Sequence, residues 1–168
     1  QIADHAGCEV IATAGSEEKR ATARRLGADH AVDYEATDFA DAVREYTGQR
    51  GVDVVVDHVG AATWRQSLRS LANGGRLLTC GATTGPTPET NVNRIFGNQL
   101  SVVGSTMATP GEFDDVLELV WDGTFEVLLR DVLPMSETAR GHELLESREG
   151  FGKVVVVPDS EYEADRYE

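Results

Sequence analysis

The stretch GCEVIATAGSEEKR, Gly7 to Arg20, decides how the rest of the chain is read. Val10 to Ala14 is a short apolar strand. It ends in a small-residue turn and enters a charged helix. Ser16 can cap that helix, Glu17 and Glu18 favour its positive end, Arg24 and Arg25 its negative end, and Gly27 stops it. Upstream, QIADHAG reads as a last helical turn with Gly7 past its end. The chain opens on Gln1, in mid-pattern, so we expect it to be part of a longer protein.

Downstream the alternation continues. HAVDY is a second short strand, and Thr37 is the expected cap of a helix with Phe39, Val43 and Tyr46 on one face. VDVVVD, Val52 to Asp57, is nearly continuously apolar, as expected of a strand covered on both faces. AATWRQSLRSLANGG predicts a helix with Trp64, Leu68 and Leu71 as its buried stripe, ended by Asn73-Gly74-Gly75. RLLTCG is a strand, a short helix lies around Val92 to Phe96, and LSVVGST is another strand. Pro110 opens a helix in which Phe113, Val116, Leu117, Val120 and Trp121 recur at helical spacing. LLRDVLP is extended, Ser136 opens one more helix, and GKVVVVP is a last strand.

Strands alternating with helices imply an α/β, Rossmann-like, doubly wound and mainly parallel sheet. Its domain runs from 1 to 158, and 159–168 reads as an acidic, mobile tail. The Gly-rich fingerprint G-x-G-x-x-G is absent from the chain. It belongs upstream of the helix that QIADHAG ends. The expectation is therefore a sheet without its first strand and Gly-rich loop.

Charge narrows the function. The formal net charge is -14, and of 15 basic residues only Lys19 and Lys153 are lysines, leaving 13 arginines. Such a chain repels phosphate polymers, so a general nucleic-acid binder is disfavoured. The balance points to a salt-adapted, cytoplasmic protein. No apolar run approaches membrane-spanning length. Cys8 and Cys80 make neither a metal-ligand spacing nor a disulfide framework, and are read as buried, reduced thiols.

Ligands of such sheets bind beyond the carboxyl ends of the strands, here after Ala14, Asp57, Cys80 and Gly104. At the first position an Asp or Glu would accept both ribose hydroxyls of a dinucleotide and repel a 2'-phosphate. Ala14 and Gly15 stand there instead, with Ser16 and Lys19 following. A phosphorylated ribose is tolerated, so NADP is expected over NAD. In His58-Val59-Gly60, Gly60 lets the backbone come close to a ligand, and His58 is read as a backbone-bonded residue rather than an acid or base. Gly81 and Ala82 suit a flat ring, with hydroxyls from Thr83 and Thr84.

These stretches resemble the cofactor-binding part of the medium-chain dehydrogenase/reductase superfamily, nearest its quinone oxidoreductase and zinc-type alcohol dehydrogenase branches. The likeness is carried by VIATAGSEEKRATARRLGADHAVDY, by GVDVVVDHVGAATWRQSLRSLANGGRLLTCGATTG, by LSVVGSTM and by GFGKVVVVP, and runs from Gln1 to Pro158. It implies that Lys19 and Tyr34, with Ser16, grip the 2'-phosphate. Gly81 to Thr83 and Gly104 to Met107, with Ser105, would lie along the nicotinamide, and Phe151 to Lys153 would approach the cofactor. It also implies a catalytic domain, with any zinc ligands and most of the small-molecule substrate pocket, outside this chain. Zinc dependence stays open, and the isolated fragment should be inactive. Members commonly dimerise through the last Rossmann strand, which implies a homodimer through Leu100–Ser105.

The leading expectation is a dinucleotide-binding portion of an oxidoreductase, with no catalytic acid or base of its own. Its substrate would be a carbonyl, an alcohol, a quinone or an activated alkene. The alternative is a non-catalytic nucleotide-binding or sensing module. A short-chain dehydrogenase would need Tyr-x-x-x-Lys, but Asp38, Arg50 and Arg166 follow Tyr34, Tyr46 and Tyr162 at that spacing. A methyltransferase is weaker still, since the loop after Ala14 has no acidic residue to hold a ribose.

Overall fold

Every apolar run read as a strand forms one, and every strand pair is parallel. The computed structural model describes residues 1–147 and 150–163. Two compact units emerge, Gln1–Pro110 and Gly111–Glu168.

The first unit runs α1 Ile2–His5, β1 Ile11–Ala14, α2 Glu17–Arg25, β2 His30–Asp33, α3 Phe39–Tyr46, β3 Val52–Asp57, α4 Trp64–Ser70, β4 Leu71–Thr79, α5 Val92–Gly97 and β5 Ser101–Gly104. β1 pairs with β2, and β3, β4 and β5 form a separate three-stranded sheet in that order. Its core is Leu68, Leu71, Leu77 and Leu100, with Val55, Trp64 and Ile95 packed against them. Burying each leucine contributes about 1.5–3 kcal/mol. α6, Pro110–Trp121, begins on the last residue of this unit.

In the second unit, β6 Leu129–Pro134 pairs in parallel with β7 Lys153–Val157, and α7 Thr138–Glu146 connects them. A short 3-10 turn, Asp159–Glu161, follows β7, and the Ser136 hydroxyl donates to the Asp159 carboxylate. Residues 164–168 of the expected tail lie outside the described residues.

Several local expectations are corrected. Asp38, not Thr37, caps α3, its carboxylate accepting from the Ala40 N–H at 2.9 Å. Phe39 and Val43 are buried, but Tyr46 is 44% exposed and stacks on His30 with ring centroids 4.0 Å apart. Cys8 and Cys80 are free and exposed, because Cys8 lies in the link before β1 and Cys80 just past the end of β4, outside the covered length of either strand. α4 stops at Ser70, three residues before Asn73. Arginines finish it: Arg94 donates to the Leu68 and Arg69 carbonyls and Arg44 to that of Arg69. Those bonds satisfy the terminal carbonyls that a glycine cap otherwise serves.

The most consequential correction concerns β3. Val55 packs into the core, but Val54 and Val56 are 49% and 66% exposed, so only one face of this apolar strand is covered. Among the described residues, no strand pairs with the second edge of β1 or of β3. A groove of about 640 Å³ is lined by both strands, with Val10–Thr13 on one side and Val52–Asp57 on the other.

Candidate functional site

Two clusters stand at the carboxyl ends of the strands. The first surrounds the turn after β1. Ser16 caps α2, its hydroxyl oxygen accepting from the Lys19 N–H at 3.3 Å, which sets Ser16 and the half-buried Lys19 on one helical turn. Arg20 reaches back to the Ala14 carbonyl at 3.4 Å, and pairs with Asp33 at 2.6 Å and Glu17 at 2.9 Å.

Asp33 ends β2 and folds the chain over. Its carboxylate accepts from the Glu35 N–H at 3.0 Å and the Ala36 N–H at 3.2 Å. The Glu35 N–H is the chief cause that holds the Asp33 carboxyl below its ordinary range, with Ala36 and Arg20 adding to it against a smaller opposing effect of burial. This turn brings Tyr34 and Glu35 beside Gly15. A Cβ on Gly15 would lie 2.7 Å from Glu35 Oε1 and 3.0 Å from the Tyr34 hydroxyl oxygen. A side chain at position 15 would displace those two side-chain ends.

Sequence reasoning placed Ser16, Lys19 and Tyr34 here and missed Glu35. It looked for a carboxylate on β1 and its own turn. The one present comes from the turn after β2, which parallel pairing of Ala14 with Asp33 brings alongside.

The second cluster joins the loops after β3, β4 and β5. Asp57 is 3% exposed and organises it. One carboxylate oxygen accepts from the Val59 and Gly60 N–H groups at 2.8 and 2.9 Å. The other accepts from the Thr63 and Ser67 hydroxyls at 2.8 and 2.6 Å. Burial pushes the Asp57 carboxyl up, but these four bonds together outweigh it and leave it below the ordinary range.

The β4 loop is knitted to the β3 loop. Thr83 donates its N–H and hydroxyl to the His58 carbonyl, and Thr84 donates both to the Val59 carbonyl. Gly60, at φ +85, has the Gly85 carbonyl oxygen 2.7 Å and the Ala82 Cα 3.0 Å from where a Cβ would stand. At Gly81 a Cβ would meet the His58 carbonyl oxygen at 2.8 Å. The Ser105 N–H donates to the Thr79 carbonyl at 2.9 Å, which ties the β5 end in.

Val59, Gly60, Gly81, Ala82, Thr83 and Ser105 are thus brought together. Met107 is 93% exposed, at φ +55. Phe151 and Lys153 belong to the second unit, where the Lys153 N–H donates to the Leu128 carbonyl at 2.8 Å. The two clusters offer complementary chemistry. One is a hydroxyl-and-cation turn fit for a phosphate or a ribose. The other is a bare-backbone shelf fit for a flat group. Among the described residues, no group of three His, Cys, Asp or Glu side chains is placed to hold a metal ion.

The family described as "Zinc-binding dehydrogenase" matches residues 1–122. The chain belongs to this family. It is the cofactor-binding, C-terminal part of a medium-chain dehydrogenase/reductase. It is 32% identical to 2-haloacrylate reductase of a Burkholderia species over 94% of its length and 50% of that protein's. It is 31% identical to quinone oxidoreductase of Pseudomonas aeruginosa, covering 94% of the chain and 51% of the relative. A crystal structure of an NAD-dependent alcohol dehydrogenase superposes with a TM-score of 0.85 at 42% identity, over 92% of this chain and 45% of that one. The chain spans about half the length of the curated relatives it matches.

Proposed function

We propose that this chain holds NADP(H) for an oxidoreductase acting on a carbonyl or alcohol, a quinone or an activated alkene. The observation that carries the reading is the bare backbone at the strand ends. Gly60 and Gly81 each stand where a single methyl would collide with backbone of the opposite loop. The residues fit a dinucleotide: the shelf of Val59, Gly60, Gly81, Ala82 and Thr83 takes its flat end, with Ser105 and Met107 as further contacts. Ser16, Lys19 and Tyr34 take its phosphorylated adenosine.

When bound, the nicotinamide supplies the hydride chemistry. The chain orients it. Asp57 keeps the Val59 and Gly60 amides and the start of α4 in place, and the Thr83 and Thr84 bonds stop the two loops from parting. No acid or base among these residues is assigned a proton-transfer step. Titrating the full-length protein with NADPH and NADH tests the reading. Tighter NADPH is expected, and no binding of either would end it.

Two further elements belong to the same reading. A parallel strand from polypeptide outside residues 1–168 would fill the groove between β1 and β3, and its connecting helix would cover Val54 and Val56. The two open edges and the groove between them support this reading. The protein would be a cytoplasmic homodimer, formed through β5. That strand ends its sheet, and Val102 and Val103 are 41% and 40% exposed. An exposed apolar edge needs such cover.

A further inference from the structure

We infer that Glu35 is a specificity-determining residue for the cofactor, competing with Lys19 and Tyr34 over the adenosine ribose. The inference rests on the first cluster being the adenosine end. It deepens that reading, because the turn after β1 is not simply permissive toward a 2'-phosphate.

The geometry runs from the backbone outward. Parallel pairing puts Ala14 beside Asp33, so the residues after each strand share one end of the sheet. The Asp33 carboxylate pins the Glu35 and Ala36 N–H groups, which fixes the turn that carries Glu35. Glu35 Oε1 then stands 2.7 Å from where a Cβ on Gly15 would be, with the Tyr34 hydroxyl at 3.0 Å. A carboxylate against this turn accepts ribose hydroxyls and repels a phosphate in the same place.

Local cations do not cancel it. Arg20 is engaged by Glu17 and Asp33, and Arg24 by Glu17. Lys19 is the remaining lysine or arginine on the first turn of α2. The ribose thus meets one ammonium and one phenol that favour a phosphate and one carboxylate that opposes it. Glu35 must turn away before a 2'-phosphate can settle beside Tyr34, whereas an unphosphorylated ribose can use the carboxylate where it stands.

The consequence is a protein that accepts both cofactors with a narrowed gap. Salt modulates the gap, since mobile ions weaken charge repulsion at an exposed site. The test is equilibrium binding of NADPH and NADH to the full-length protein and to its Glu35→Gln, Glu35→Ala and Lys19→Glu variants. Adenosine 2',5'-bisphosphate and adenosine 5'-monophosphate serve as half-ligand probes. Both Glu35 variants should bind NADPH and the bisphosphate roughly five- to tenfold tighter. Glu35→Ala should bind NADH severalfold more weakly, through loss of the ribose acceptor. The gain should shrink toward unity in molar salt, where the screening length falls to about 3 Å. If NADPH affinity is unchanged in both Glu35 variants while Lys19→Glu still weakens it, the role of Glu35 is refuted and the site stands. If neither half-ligand binds the parent protein, the placement of the adenosine end falls with it.

Discussion

Replacing Asp57 with asparagine should cost about 3 kcal/mol of stability. Its carboxylate is buried and accepts four hydrogen bonds, two from N–H groups of its own loop and two from hydroxyls of the Thr63–Ser67 turn. A bond to a charged group contributes about 1.5–3 kcal/mol, against about 0.5–1.5 for a neutral one. Asparagine keeps one oxygen for Val59 and Gly60 and turns an amide toward the two hydroxyls, which can rotate to accept. The loss is therefore the charge assistance of four bonds, about 1 kcal/mol each, less the burial penalty that the neutral side chain no longer bears, which leaves about 3 kcal/mol. Alanine strands the two N–H groups and leaves a hole, so Asp57→Ala should cost about 4 kcal/mol or more. Urea unfolding at fixed salt reads both, as a lowered midpoint with an unchanged slope. The acid limb supplies a second readout. The folded Asp57 carboxyl titrates below its ordinary value, near 3.9 for an unfolded aspartate. Its contribution is thus complete above the unfolded value and is lost as pH falls through the folded one. The asparagine variant should lose less stability than the parent over that acid range. A change within 0.5 kcal/mol at neutral pH, or identical acid limbs, would refute the view that this carboxylate holds the site together.

Lys19→Glu should weaken NADPH about tenfold, by roughly 1–2 kcal/mol, and leave NADH nearly unchanged; equal binding of both would remove Lys19 from the site. In the 1–168 chain, amides of β1 and β3 that point into the groove should exchange with deuterium faster than those bonded to β2 and β4, and the full-length protein should protect them. Uniform protection in both would count against a filling strand. Val103→Lys should shift the full-length protein from dimer to monomer in light scattering, and an unchanged mass would place the interface elsewhere. Residues 1–168 alone should show no NADPH-dependent turnover above background with quinone or enone acceptors, and measurable turnover would contradict a catalytic half outside the chain.

The order of elements was legible because hydrophobic period and helix-end chemistry are local. Ser16 caps α2 and Gly27 follows its end for reasons contained in the residues themselves. Reading failed where a distant partner does the work. Nothing near Ser70 announces the end of α4, because the groups that close it are Arg44 and Arg94, far away in sequence. The run VDVVVD reads as a strand covered on both faces, because apolar residues do not alternate regularly with polar ones along it. Composition alone does not say which face finds a partner: Val55 packs into the core, and Val54 and Val56 stand open.

The same distinction governs the site. The nearness of Ser16 and Lys19 was legible because they share a helical turn, and Tyr34 was singled out by a family resemblance. Glu35 could not be weighed without knowing that β1 and β2 run parallel in the register of Ala14 with Asp33. In a parallel sheet, side chains about twenty residues apart end at the same rim. Cofactor preference at such a rim is therefore a property of neighbouring strand ends taken together. A motif confined to one loop reports only part of the charge at that rim, and here Glu35, from the neighbouring strand end, carries the sign opposite to Lys19.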